Sequence, residues 1–307
     1  MQADIFISPK ALNDMRDTAL ILDASWIYPG FQGGAHIDMR DEFRRQHIPG
    51  SCFVDLNQLQ DPEKIVDARL DVLTPPRPGV LTQLVTDKAG AGHDDLIVVS
   101  DMDGGAATAP FLRYCLLAEG FHNVRLLKGG LPEWRNIAKL AVSDSIEDAY
   151  YLDAASIEWP LADNDPLVRG MATDNVFMDY SAFLAANKDE RAPHVIDARI
   201  GSNRVANLPG EYTPHNVPAT HHISYGEIIN DLGFWQDFQD PQKLARLFNS
   251  YCIGNDRPVI THCYFGMAAS NMMTALELAG YPRGRIYAGG VIDYAVKSGL
   301  VQRPAAG

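Results

Sequence analysis

The chain has 307 residues, more than one ordinary domain needs, and two units of about 130–150 residues each would bury adequate cores. A formal net charge of −13 and a pI near 5.0 disfavour nucleic acid as a partner, because phosphate binding needs basic patches. No run approaches the roughly 20 apolar residues of a membrane span, and Met1 to Lys10 lacks the basic-then-apolar pattern of a signal peptide, so no membrane association and a cytoplasmic location are expected.

In chain order, the first landmark is Ile21-Leu-Asp23-Ala24, a short apolar run ending in a carboxylate. His47-Ile-Pro-Gly50-Ser51 follows. Leu96 to Ser100 reads as a buried strand, and Asp101-Met-Asp-Gly104-Gly-Ala106-Ala107 follows it directly. A helical pattern runs from Ala106 to a glycine stop at Gly120; Val124 to Leu127 is the next strand and ends at Gly129-Gly130. Periodicity is weakest from Ser143 to about Asp174, an acidic stretch with Pro160, Pro166 and Gly170, expected as a linker draped over a domain surface.

The landmarks then return in the same order. Val195-Ile-Asp197-Ala198 matches the first, and Asn216-Val-Pro218-Ala-Thr220 matches the second. Arg257-Pro-Val-Ile-Thr-His-Cys263-Tyr-Phe-Gly266-Met-Ala268-Ala269 matches the third. Tyr287-Ala-Gly289-Gly290 closes the set. Apolar residues at 268, 272, 276 and 279 place one face of a helix between the strands Val259 to His262 and Arg285 to Tyr287, with Gly280 as its stop. Strand, helix, strand in this rhythm predicts parallel βαβ units and an α/β fold built from an internal repeat. The expected division is residues 5–142, a linker at 143–173 and a second unit at 174–303.

The copies differ at one telling place: Asp101 stands where Cys263 stands. That pattern reads as one working site and one retired site. Of the four cysteines, Cys115 lies in an apolar helix and Cys52 and Cys252 border strands, so all three read as core. No Cys-x-x-Cys pair and no histidine cluster has metal spacing, so no metal and no cofactor are expected; sparse unpaired cysteines fit a reducing compartment. Cys263 follows a strand and precedes a helix, the position where parallel α/β sheets bind ligands. A loop curling toward a helix start would aim backbone N–H groups at the sulfur and lower its pKa below about 8.5. Gly266 would permit the curvature. Taken alone, Cys263 fits a buried structural cysteine about as well; the repeat favours the reactive one.

With these residues in hand, nearly the whole chain resembles the tandem-domain sulfurtransferases, the family of rhodanese and 3-mercaptopyruvate sulfurtransferase. Cys263-x-x-Gly266-x-x-Ala269 is similar to the family's active-site loop, Asp101 to the residue that often replaces the cysteine in its silent N-terminal domain, and His47-Ile-Pro-Gly50 to its Gly-His-Ile-Pro-Gly-Ala element. Leu22-Asp-Ala-Ser-Trp26, with Glu42, Phe43 and His47, resembles the mercaptopyruvate branch. Asp197-Ala-Arg199 resembles the element that places a substrate-binding arginine. There are departures. Tyr264 and Phe265 replace both the cationic residues of thiosulfate-specific members and the Gly-Ser of mercaptopyruvate-type members. His215-Asn-Val-Pro218-Ala is degenerate, and Val291 replaces a Trp or Ser.

The resemblance implies two tandem rhodanese-like domains, each a mainly parallel sheet flanked by helices on both faces. It also implies a sulfur transfer in which Cys263 becomes a persulfide, with a small donor, 3-mercaptopyruvate or thiosulfate, and a thiol, cyanide or thioredoxin-like acceptor. Arg199 would bind the donor's carboxylate or sulfonate, or else form a surface salt bridge. Arg204 is a second candidate. His47 would polarise a donor or fix a turn. Tyr264, Phe265, Gly266, Met267, Ala268 and Ala269 would line the site. His262 reads as a strand residue under the loop, and phosphate chemistry is disfavoured because Ala269 stands where a Cys-x5-Arg loop needs arginine. A non-catalytic binding or sulfur-carrier module is the third reading. The pocket is expected between the domains, with Cys263 at its floor.

Overall fold

A computed structural model describes residues 5–27, 38–61, 73–154, 157, 176–188, 192–200, 217–232 and 236–301. Two wholly parallel sheets dominate it. The first has six strands: β1 (Phe6–Ile7), β2 (Leu20–Asp23), β3 (Ser51–Val54), β4 (Ile97–Ser100), β5 (Val124–Leu127) and β6 (Tyr150–Leu152), in the spatial order β1-β5-β4-β2-β3-β6. The second has five: β7 (Phe177–Met178), β8 (His194–Asp197), β9 (His221–His222), β12 (Val259–His262) and β13 (Arg285–Tyr287), in the order β7-β13-β12-β8-β9. A short antiparallel hairpin, β10 (Ile229–Asp231) with β11 (Gln236–Phe238), belongs to the second unit. Apart from β6 the two sheet orders correspond strand for strand, so the repeat seen in the sequence is a repeat of topology.

The central strands explain the parallel arrangement. Ile97-Val-Val-Ser100 and Val259-Ile-Thr-His262 are buried along their whole length, as strands covered by helices on both faces must be. Each feeds a crossover helix, Ala109–Ala118 after β4 and Met267–Leu278 after β12. Both helices stop at a glycine in the left-handed region, Gly120 (φ +84°) and Gly280 (φ +92°). The first begins at Ala109, three residues after the expected start, because the loop from Asp101 is still curled through Thr108.

Two expectations change. Tyr150–Leu152, inside the stretch expected as linker, pairs in parallel with β3 and completes the first sheet; its short length hid its period. Cys252, expected in the core, is exposed at the end of the Pro241–Ser250 helix with φ +56°, while Cys115 is buried and Cys52 half-buried within β3.

The units share one continuous core. Phe111 of the first packs on Phe177 of the second (centroids 6.0 Å apart), and Phe6 packs on Phe238 (5.8 Å). The two crossover helices lie against each other. Between them Arg113 Nη2 and the Tyr114 hydroxyl reach Glu277 at 3.4 and 3.2 Å, and Arg283 Nε donates to Glu277 Oε1 at 2.6 Å.

Candidate active site

Cys263 is the first residue after β12, at the carboxyl edge of the second sheet. Thr261 and His262 pair with Ile196 and Asp197 of β8, while Ile196 and Asp197 pair with His221 and His222 of β9. The ends of β12, β8 and β9 therefore place Cys263, Asp197 with Arg199, and His222 side by side. His222 was not singled out in the sequence; its Nδ1 lies 3.8 Å from Asp197 Oδ2, and only sheet order brings the two together.

The loop is shaped by two glycines. Gly266 has φ +98°, and a β-carbon there would stand 3.1 Å from Ala288. Its amide donates to Cys263 Sγ at 3.1 Å. Beneath the loop, Gly290 (φ +56°) lies so close to the carbonyls of Cys263 and Tyr264 that a β-carbon would overlap them. The amides of Val291 and Ile292 donate to those carbonyls at 2.9 and 3.3 Å. Gly130 stands likewise against the Asp101 carbonyl, and Leu131 N donates to it at 3.1 Å. The repeated Gly-Gly landmark is thus the floor on which each loop rests.

The backbone amides of Ala269, Phe265, Gly266 and Ala268 all favour a Cys263 thiolate, yet burial outweighs them and holds the thiol above its ordinary pKa. The expected lowering is not found. Only 3% of Cys263 is exposed, and Tyr264 and Phe265 are nearly as covered, so the thiol is buried. Phe265 meets Trp26 of the first unit edge-on (6.2 Å), which makes the first unit part of the site's wall. Met267 and Ala268 are half-buried, and Ala269 is fully buried at the helix start.

Arg199 forms the salt bridge, largely buried and not on the surface. Its Nε and Nη2 grip the Asp197 carboxylate at 2.5–3.0 Å, and its guanidinium stacks over the Tyr264 ring at 5.5 Å. Burial works against its charge, but the hydrogen bonds and charge of Asp197 outweigh burial and hold the guanidinium above its ordinary range. Burial likewise works to raise Asp197, but the Arg199 bonds keep it below the ordinary carboxylate range. The matching loop of the first unit shows the contrast. Ser25 stands where Arg199 stands, and the equivalent carboxylate, Asp23, is pushed by burial up to about 6.

His262 is fully buried under the loop, with its ring edge-on to Phe183, and burial pushes its pKa down to about 4 against the pull of Asp197. His47 does not open on any site. It has no exposed surface, its ring stacks on Phe43 (4.5 Å), and its Nδ1 lies 2.9 Å from the Phe43 carbonyl, the turn-fixing alternative. Arg204 and His215 lie outside the described residues. Of the cavities between the units, one of about 420 Å³ is lined by Pro75, Cys115, Glu119, Met178, Tyr287 and Asp293, among others, and Cys263 is not in its wall.

A parallel α/β repeat with a cysteine loop at one strand end and an aspartate loop at the matching strand end of the other copy defines a known class, and the chain belongs to the rhodanese-like domain family, whose model matches residues 9–137 and 181–296. Over 285 residues it is 24% identical to mouse 3-mercaptopyruvate sulfurtransferase, covering 91% of this chain and 85% of that one. It is 23% identical to the Escherichia coli K12 3-mercaptopyruvate sulfurtransferase (92% of each chain) and 21% identical to bovine thiosulfate sulfurtransferase (89% and 84%). The crystal structure of SseA, a 3-mercaptopyruvate sulfurtransferase from Escherichia coli, superposes with a TM-score of 0.70 at 21% identity, covering 94% of this chain and 99% of that one. The Tum1 protein of Saccharomyces cerevisiae superposes at 0.68 with 20% identity, covering 97% of each chain. Among the described residues no helix is long and apolar enough to cross a membrane.

Proposed function

We propose that the chain is a sulfurtransferase that takes a sulfur atom from a small organic donor, 3-mercaptopyruvate in the favoured reading, onto Cys263, where it becomes the sulfane sulfur of a persulfide. The carrying observation is the ring of backbone amides that converges on Cys263. A persulfide's outer sulfur is anionic, and amides preorganised in a buried site stabilise such a charge without reorganising. The Cys263 thiolate attacks the donor sulfur. The new S–S bond forms as the donor's C–S bond breaks, and the electron pair leaves with carbon as the enolate of pyruvate, which takes a proton. An acceptor thiolate, free or on a thioredoxin-like protein, then attacks the outer sulfur and releases the Cys263 thiolate; cyanide would do the same.

Arg199 would hold the donor carboxylate. Asp197 fixes its Nε and Nη2, so the fork is held in place over the Tyr264 ring. Tyr264 and Phe265 favour an organic donor over thiosulfate, whose dianion finds no cation within the loop from Cys263 to Ala269. In this reading residues 5–142 with β6 form the inactive copy, the segment after Leu152 connects the units, and 174–303 form the catalytic unit in a cytoplasmic protein.

Intact-protein mass spectrometry after brief incubation with 3-mercaptopyruvate, and separately with thiosulfate, tests this. The expected result is a gain of about one sulfur mass, removed by cyanide and absent in Cys263→Ala. Faster loading by thiosulfate would reverse the donor assignment. No adduct with either donor would overturn the enzyme reading in favour of a binding module.

A further inference from the structure

Asp101 sits in the first unit's counterpart of the Cys263 loop, and the loop around it is closed. Its Oδ1 accepts from the amides of Asp103 (3.1 Å) and Gly105 (2.7 Å), and its Oδ2 from those of Ala107 (3.4 Å), Thr108 (3.0 Å) and Ala109 (2.9 Å). A carboxylate accepts this many bonds at once, which a thiol cannot. With its N–H groups gathered inward, the loop presents carbonyls outward. Three of them are taken by the second unit. The Asp103 carbonyl accepts from Gln236 N at 2.8 Å, the Ala106 carbonyl from the Tyr225 hydroxyl at 2.5 Å, and the Ala107 carbonyl from Asn271 Nδ2 at 2.9 Å. Gly104 is so close to the hairpin that a β-carbon there would overlap the Gln236 carbonyl.

Asn271 links this contact to the chemistry. It lies in the helix that begins at the catalytic loop, and the same Nδ2 is 3.0 Å from the carbonyl of Met267, the helix's first residue. Ala268 and Ala269, whose amides face Cys263, sit in that first turn. A continuous path of hydrogen bonds and chain runs from the Asp101 carboxylate through the Ala107 carbonyl and Asn271 to the amides around the sulfur.

We propose that Asp101 is a positioning residue for the Cys263 loop: it turns the matching loop of the first unit into a docking clamp that holds Asn271, and through it the first turn of the catalytic helix. The proposal rests on the reading of Cys263 as the reacting group, but not on which donor loads it.

The test is the rate at which iodoacetamide labels Cys263, followed by peptide mass spectrometry in Asp101→Ala, Asn271→Ala and the double variant. No sulfur donor is used, so the result is independent of whether a persulfide forms. Buried Cys115 reports global loosening and exposed Cys252 reports reagent activity. Each single variant is expected to change Cys263 labelling roughly 3- to 10-fold with Cys115 unchanged, and the double variant no more than the larger single. Unchanged Cys263 labelling in either folded single variant, parallel acceleration at Cys115, or effects that multiply in the double variant would overturn the clamp. If Asp101→Ala does not fold, Asn271→Ala decides alone: an unchanged rate refutes the path and a changed rate supports it.

Discussion

At the scale of single residues, the loop depends on backbone geometry more than on side-chain chemistry. Gly266 combines φ +98° with a 3.1 Å approach to Ala288. Alanine there would carry the left-handed penalty of about 1–2 kcal/mol and push the loop off its floor. Gly266→Ala is therefore expected to lower the thermal midpoint modestly while cutting persulfide loading far more; equal loss of both would show that the loop geometry is not special. The raised thiol is the residue-level surprise. Helix-start amides favour the thiolate, but a cysteine with 3% of its surface exposed loses more hydration than they return.

At the scale of elements, histidines mark the ends of three adjacent strands. His194 begins β8, His221 begins β9 and His262 ends β12. Burial holds all three below the ordinary imidazole range; Arg257 also lowers His194, and both His194 and Arg257 lower His221. His194 Nδ1 lies 3.1 Å from His221 Nε2, a pair that needs at least one neutral ring. The folded state therefore binds fewer protons than the unfolded chain, whose imidazoles titrate near 6.5. This stability is fully present above about pH 6.5 and is lost as pH falls, with the His262 share lost down to about 4. Burial also holds the carboxyls of Asp23 (about 6), Asp103 and Glu119 (both about 7) up, and these gain stability as pH falls through the same range, so the histidine share is read by comparison. Between pH 7.5 and pH 5 the urea midpoint of His262→Phe should gain more, or lose less, than that of the unsubstituted chain, and an identical pH dependence would contradict the assignment.

At the scale of the whole molecule, ionic groups are sealed between the two units. Glu277 receives Arg113 and Tyr114 from the first unit and Arg283 from its own, and the Arg113 side chain is only 2% exposed. Removing one partner of such a buried pair typically costs about 3–5 kcal/mol, because the other charge is left without its counterion. Glu277→Ala is expected to lower the calorimetric midpoint by several degrees and to split one transition into two as the units uncouple. A single unshifted transition would mean that the apolar contacts alone join them.

By itself the sequence determined the parallel repeat, the place of Cys263 at a strand end and its counterpart at Asp101, because these are local: apolar runs, glycine stops and a loop of fixed length. The Gly-Gly landmark was visible too, but its purpose was not, since each pair supports a loop distant in sequence. Tertiary structure alone decided that Arg199 is clasped by Asp197 beneath Tyr264, that His47 is sealed against Phe43, that Cys252 is exposed, and that Tyr150–Leu152 completes a sheet. It also decided the state of the Cys263 thiol. Local pattern fixes which amides can reach a sulfur, whereas burial is set by how the rest of the chain packs around the loop, where Tyr264 and Phe265 are buried too and Trp26 of the other unit meets Phe265.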